Sequence, residues 1–312
     1  MIDPGTSLRS LAGLGFLAST ILSGSALAQA LAPAPEAPTG RTAKSAGTAT
    51  KDMVAAANPL AAEAGRQILA AGGSAVDAAV AVQLVLNLVE PQSSGIGGGA
   101  FMVFWDGQTM TTLDGREKAP AAAKPERFLG PDGKPMKFYD AVVGGRSVGV
   151  SGTVRLLEAA HKNWGKLAWK DVMEPAIRLA ENGFAISPRL NGHLTQEKFL
   201  QNDPVARAYF YEADGKPKAV GTVLKNPAFA QTLRTIADKG ADAFYTGEIA
   251  QDIVTTVTGH PTNPGDMTLD DLKVYKVVER DPVCGFLSNL PYLRHGSAEF
   301  RTACRAADHE HA

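Results

Sequence analysis

The stretch Ser93-Ser94-Gly95-Ile96-Gly97-Gly98-Gly99-Ala100-Phe101-Met102-Val103-Phe104-Trp105-Asp106-Gly107, running on to Leu113-Asp114-Gly115-Arg116-Glu117-Lys118-Ala119-Pro120, decides how this chain folds. Its glycines permit close backbone approach, so two layers of a fold, or a fold and a ligand, can meet there tightly. Trp105-Asp106-Gly107-Gln108 lies between two β-prone runs, Ala100 to Trp105 and Gln108 to Leu113, and Asp-Gly at that place predicts a hairpin. Arg116 then falls just beyond a strand end, where side chains reach into clefts.

Upstream, Asn58-Pro59 is an N-cap followed by proline at the first helical position, and Gly72-Gly73 closes that helix. Ser74 caps a second helix, with Asp77 in its first turn. The run Ala75 to Val89 is apolar on almost every side, which places it inside a layered protein. Pro91 ends it. The order helix, helix, strand, strand predicts an α+β arrangement with a helical layer over a sheet. Gly95-x-Gly97-x-x-Ala100 has the spacing of a dinucleotide loop, but that loop needs a strand before it and a helix after it to hold a pyrophosphate. Here the order is reversed, and no Gly-Lys-Ser/Thr ending supports a P-loop.

Downstream the chain is helix-rich. Gly144 to Gly152 is a second glycine-rich run, with Val148 to Val150 as a short strand candidate. Helices are predicted over Val154 to Lys162, Asp171 to Glu181, Pro188 to Leu200, Pro227 to Asp238 after Asn226, and Glu248 to Val257. Thr268 opens a short helix with Asp270 and Asp271 in its first turn, and Tyr275 to Val278 is β-like. Residues 285–312 show neither helical nor strand periodicity. His309, Glu310 and His311 near the end lack the further ligands that a metal site needs, so a solvated tail is the expectation. Cys284 and Cys304 are two cysteines, too few for a disulfide framework, and their pairing stays open.

At 312 residues, 45% hydrophobic and with a formal net charge of −1, the chain can bury a large core, and it carries no basic run for nucleic acid. Arg9, the apolar run Leu11 to Leu22 and Ala26-Leu27-Ala28 read as a secretory signal, residues 1–28, which predicts a periplasmic or secreted protein with no membrane span after cleavage. Residues 29–51 read as an Ala/Pro-rich linker. His161, His193 and His260 lie in or near helical stretches and no serine stands in a Gly-x-Ser-x-Gly elbow, so a serine-hydrolase triad has no anchor. Thr255-Thr256 sits within a helix, where hydroxyls bond back to carbonyls. For Arg116 two readings stand: a solvated strand end paired with its neighbours, or an anchor for a substrate carboxylate through two parallel charge-assisted bonds.

Taken together, Asn58-Pro59-Leu60-Ala61, Gly72-Gly73-Ser74-Ala75-Val76-Asp77, Glu90-Pro91, Ser94 to Phe101, Arg116-Glu117-x-Ala119-Pro120, Ser147 to Val154, Phe244-Tyr245-x-Gly247 and Gly265-Asp266-Met267-Thr268-x-x-Asp271-Leu272-x-x-Tyr275 resemble the large subunit of γ-glutamyltranspeptidases. The resemblance spans residues 52–284 as one domain. It implies an incomplete N-terminal-nucleophile hydrolase αββα sandwich, in which a precursor cuts itself and the new N-terminal threonine of the small subunit attacks the γ-glutamyl amide of glutathione-type substrates. The glutamyl group then passes to water or to an amino-acid or peptide acceptor. By this resemblance Arg116 holds the substrate α-carboxylate and Glu117 supports it, although neighbours on an extended segment point apart. No cofactor is expected.

The resemblance stops at about Gly285, before the threonine start of a small subunit. Without nucleophile, base and oxyanion hole, the chain by itself is expected to be inactive, and the loss of pattern suggests a frameshifted or truncated reading of the gene, a specialised tail being the competing reading. A glutaryl-type acylase of the same fold and a non-catalytic exported small-acid binding protein are the alternatives.

Overall fold

The computed structural model describes residues 47–287 and 290–294, with side chains described through Val283. The predicted signal segment, most of the predicted linker, Cys304 and the His309–His311 group lie outside the described residues, as does the side chain of Cys284.

The helices are α1 (Pro59–Ala70), α2 (Ala75–Val89), α3 (Phe138–Val142), α4 (Thr153–Trp164), α5 (Trp169–Asn182), α6 (Pro188–Gln196), α7 (Pro204–Phe210), α8 (Pro227–Lys239), α9 (Asp242–Tyr245), α10 (Gly247–Thr258) and α11 (Leu269–Lys273). The strands are β1 (Ala100–Trp105), β2 (Met110–Gly115), β3 (Phe184–Ala185), β4 (Val223–Leu224), β5 (Val278–Arg280), β6 (Val283–Leu287) and β7 (Leu290–Arg294). The fold is α+β.

Helices α1, α2, α6, α7, α8 and α11 start where a capping side chain puts them. Asn58 accepts the Leu60 N–H, and Ser74 and Asp77 exchange backbone bonds in a capping box. Thr268 and Asp271 repeat that device at α11. The predicted helix Pro188 to Leu200 ends earlier, at Gln196, because the Glu197 carboxylate accepts the N–H groups of Phe199 and Leu200 and turns the chain. A new helix, α7, then opens at Asp203-Pro204, with the Asp203 carboxylate accepting the Ala206 N–H.

Strands β1, β2 and β5 form one antiparallel sheet in that order, with Phe104 opposite Thr111, Met102 opposite Leu113 and Ala100 opposite Gly115. β5 brings Arg280 opposite Thr112 and Val278 opposite Asp114, so strand pairing begins three residues later than the Tyr275 to Val278 run suggested. Tyr275 is instead buried in the core. Period-two alternation sends Ala100, Met102 and Phe104 toward the core, while Val103 and Trp105 remain exposed on the other face.

Helix α4 lies against the core face of this sheet. The Trp164 ring stacks on Phe104 at 4.3 Å, and Leu156 rests on Gly115. A side chain at 115 would collide with it, since an added Cβ would stand 2.6 Å from that of Leu156. Helices α2, α5, α1 and α8 extend the helical layer outward from α4, burying Val80, Leu84, Leu88, Ile177 and Leu233. The chain from 283 to 294 also differs from expectation: β6 and β7 pair antiparallel, Val283 opposite Arg294. Gly285 and the donor-less Pro291 had weakened the strand signal there.

Candidate functional site

Arg116 directly follows β2, and the segment Gly115–Lys118 is enclosed by the two glycine-rich runs. Val150 and Lys118 exchange both backbone bonds, at 3.1 and 2.7 Å, so the predicted strand at 148–150 is a single bridge. The first glycine run reaches the same place: the Gly98 carbonyl accepts the N–H groups of Gly152 and Thr153 at 2.9 and 3.1 Å, and the Ser151 hydroxyl donates to the Gly97 carbonyl. Helix α4 has no side-chain cap. The Gly98 carbonyl, together with the Tyr245 hydroxyl that accepts the Arg155 N–H at 3.1 Å, satisfies N–H groups that the helix start leaves open. The loop Ser93–Gly99 is thus tied to the start of α4 and to the strand end at once.

This closeness requires glycine. A Cβ on Gly99 would stand 2.6 Å from the Glu117 nitrogen and 2.7 Å from its Oε2, and one on Gly149 would stand 2.9 Å from the Glu117 Cβ. Glu117 therefore lies in a cradle whose walls are backbone. Its Oε2 is buried and accepts no hydrogen bond, yet it lies 2.9 Å from Nη1 of Arg116, a charge contact without hydrogen-bond alignment. The chain is no longer a regular strand at 116–117, so the two neighbouring side chains meet where a pleat would have turned them apart. The Arg116 side chain is 52% exposed.

The backbone of Arg116 is held on both sides. Its N–H donates to Asp114 Oδ1 at 2.9 Å, and Arg280 Nε donates to the other oxygen of that carboxylate at 2.7 Å. Its carbonyl accepts the Tyr275 hydroxyl at 2.7 Å. Tyr275 stacks on Tyr245 at 5.9 Å with planes 12° apart, and the Lys118 ammonium sits over its ring. Burial, aided by the negative charges of Asp114 and Glu117, pushes the Tyr275 hydroxyl up to about 12, so it stays a donor near neutrality. Arg116 and Glu117 were legible in the sequence as a pair. Tyr275 and Asp114 were not, because their partners depend on how the chain returns from residue 275 to residue 116.

The other sequence candidates lie elsewhere. His161, in α4, bonds the Leu167 carbonyl; His193 lies in α6; His260 accepts the Asn263 N–H after α10. Thr255 and Thr256 are exposed on α10. Among the described residues no group of three or more His, Cys, Asp or Glu could hold a metal ion, and no helix is long and apolar enough to cross a membrane. A cavity of about 410 Å³ is lined by Lys124, Arg127, Arg146 and Asp266 among others, without Arg116 in its wall. There Arg127 makes two bonds to Asp266, at 2.7 and 2.5 Å, which hold that carboxyl below its ordinary range.

The gamma-glutamyltranspeptidase family matches residues 61–295. The chain is 41% identical over 235 residues to a glutathione hydrolase proenzyme of Bacillus subtilis strain 168, an alignment covering 75% of this chain and 39% of that relative. The chain thus spans about two fifths of the relative's length. Its structure is similar to the gamma-glutamyltranspeptidase of Helicobacter pylori, with a TM-score of 0.76, 32% identity and coverage of 82% of this chain and 72% of that one. It is also similar to a cephalosporin acylase of Bacillus halodurans, with a TM-score of 0.64, 27% identity and coverage of 82% and 49%. The α+β architecture is that of N-terminal-nucleophile hydrolases, and the matched part is their large-subunit portion. With the glycine loop, the strand end at Arg116 and the Tyr275 return all inside the matched residues, the chain belongs to the gamma-glutamyltranspeptidase family.

Proposed function

We propose that this chain supplies the carboxylate-binding half of an enzyme that transfers the γ-glutamyl group of glutathione-type substrates to water or to an amino-acid or peptide acceptor. One observation carries the reading: Arg116 stands at a strand end with both backbone groups bonded, its half-exposed guanidinium held beside Glu117. A guanidinium fixed in this way can clamp a substrate α-carboxylate and orient the scissile amide for attack. The threonine nucleophile, its amine base and the oxyanion donors are the contribution of a small-subunit partner, which we place against the sheet face carrying Val103 and Trp105. Export follows from the N-terminal pattern of Arg9, Leu11 to Leu22 and Ala26-Leu27-Ala28.

Incubated alone with a γ-glutamyl anilide, the chain is expected to release no product, whereas L-glutamine binds in an Arg116-dependent way. Arg116-dependent turnover by the isolated chain, or glutamine binding unchanged in Arg116→Ala, contradicts the proposal. The likeness to an acylase favours a second reading, cleavage of a glutaryl-type side chain, because Arg116 suits either carboxylate. Preference of the enzyme completed by its small subunit for glutaryl over γ-glutamyl substrates would decide for that reading.

A further inference from the structure

The hydrogen bonds around Arg116 have a division of labour. Its guanidinium pairs with Glu117, while its backbone N–H goes to Asp114 and its carbonyl receives Tyr275. Both backbone partners are themselves fixed. Asp114 is clamped by Arg280 across the β2–β5 pairing. Tyr275 is 3% exposed, stacked on Tyr245 and covered by Lys118, whose ammonium also donates to the Lys276 carbonyl at 3.2 Å. The hydroxyl reaches the Arg116 carbonyl only because Gly152 has no side chain, since a Cβ there would stand 2.2 Å from Tyr275 Oη. So the peptide units on either side of the Arg116 Cα are pinned from two elements, and the base of the side chain is set before any ligand arrives.

From this geometry, and resting on the reading of Arg116 as the carboxylate anchor, we infer that Tyr275 and Asp114 are positioning residues that set the affinity of the site for substrates bearing an α-carboxylate. Neither touches the substrate. Their effect is preorganisation: a guanidinium on a loosened backbone loses orientation entropy on binding that a pinned one has already lost. Tyr275→Phe keeps the ring and its stacking and removes only the donor.

The test uses the full chain labelled with ¹⁵N, following the Arg116 Nε–H resonance during titration with L-glutamine and with 4-aminobutanamide, the same amide without the α-carboxylate. In the unsubstituted protein L-glutamine shifts the resonance and 4-aminobutanamide does not. Tyr275→Phe is expected to raise the glutamine Kd about three- to tenfold, the span of one lost hydrogen bond. Replacing Tyr275 with 4-aminophenylalanine, which restores a donor, is expected to return it. Asp114→Ala is expected to weaken glutamine to a similar degree, and it reads the same property should Tyr275→Phe fail to fold. A folded Tyr275→Phe or Asp114→Ala protein that binds glutamine as the unsubstituted chain does, while Arg116→Ala gives no heat of glutamine binding in calorimetry, overturns the positioning role and leaves the anchor standing. An Arg116 resonance that glutamine never moves overturns the anchor, and the positioning role with it.

Discussion

A β-carbon built on Gly152 would lie 2.2 Å from the hydroxyl oxygen of Tyr275, so these two residues share one space. The same atom would lie 2.0 Å from the Gly115 carbonyl oxygen. The first clash could be relieved by moving a ring, but the second is with backbone held in the β1–β2 ladder. Gly152→Ala is therefore expected to cost at least about 3 kcal/mol, the upper part of the range for overpacking. Urea denaturation measures it, and a loss below about 1 kcal/mol would show that the strand end can give way.

Asp77 ties the start of α2 to the loop before α5. Its Oδ2 accepts the N–H groups of Ser74, Lys166 and Leu167 at 2.8, 2.9 and 3.1 Å, and its other oxygen, buried without a hydrogen bond, lies 3.5 Å from His161 Nε2. Burial pulls this carboxyl upward, but the donated bonds outweigh it and hold the group below its ordinary range. A depressed pKa contributes stability that is present above the unfolded value, about 4, and is lost as pH falls through the folded value. Asp77→Asn is expected to cost about 2 kcal/mol at pH 7, with the gap from the unsubstituted chain narrowing toward pH 3. A gap of equal size at both pH values would rule out this account.

Arg127 joins two distant parts of the chain, donating to both oxygens of Asp266 and, through Nε, to the Arg146 carbonyl at 2.8 Å. The arginine is 13% exposed and the aspartate 40%, so solvent screens the pair in part. A double-mutant cycle with Arg127→Lys and Asp266→Asn is expected to return a coupling of about 1 kcal/mol, because lysine cannot reproduce the paired geometry. Strictly additive losses would mean that the two side chains do not act together.

Val103 and Trp105 are 48% and 54% exposed on the sheet face away from α4. Exposed apolar side chains on a strand invite association. Val103→Glu with Trp105→Lys is expected to shift the isolated chain toward monomer in sedimentation velocity with little change in helix content. An unsubstituted chain that is already monomeric, or association that the substitutions leave unchanged, would show that this face does not mediate self-contact.

Much of the scaffold was legible because its determinants are local. Asn58-Pro59, Ser74 with Asp77, Asn226-Pro227 and Thr268 with Asp271 each start a helix through bonds that span three residues or fewer. Asp106-Gly107 sets the hairpin in the same way, with the Asp106 carboxylate accepting the N–H groups of Gln108 and Thr109. The early stop of α6 was missed because a glutamate, Glu197, does the turning there, a role that propensity does not assign to it. The β6–β7 pairing was missed because Gly285 and Pro291 interrupt the pattern that would have announced it.

The amino-acid sequence by itself determined the capped helix starts at Asn58, Ser74, Asn226 and Thr268, the hairpin, the glycine-rich runs and the place of Arg116 at a strand end, all of which follow from residues near one another in the chain. Only the tertiary structure decided what those glycines are for. Gly98, Gly99, Gly149 and Gly152 come from two runs about fifty residues apart, and they close on Gly115 and Glu117 because a missing Cβ lets backbone meet backbone. The hydroxyl that holds the Arg116 carbonyl comes from 159 residues downstream. A contact at that separation depends on how α4 packs on the sheet and how β5 returns beside β2, and no local pattern encodes it.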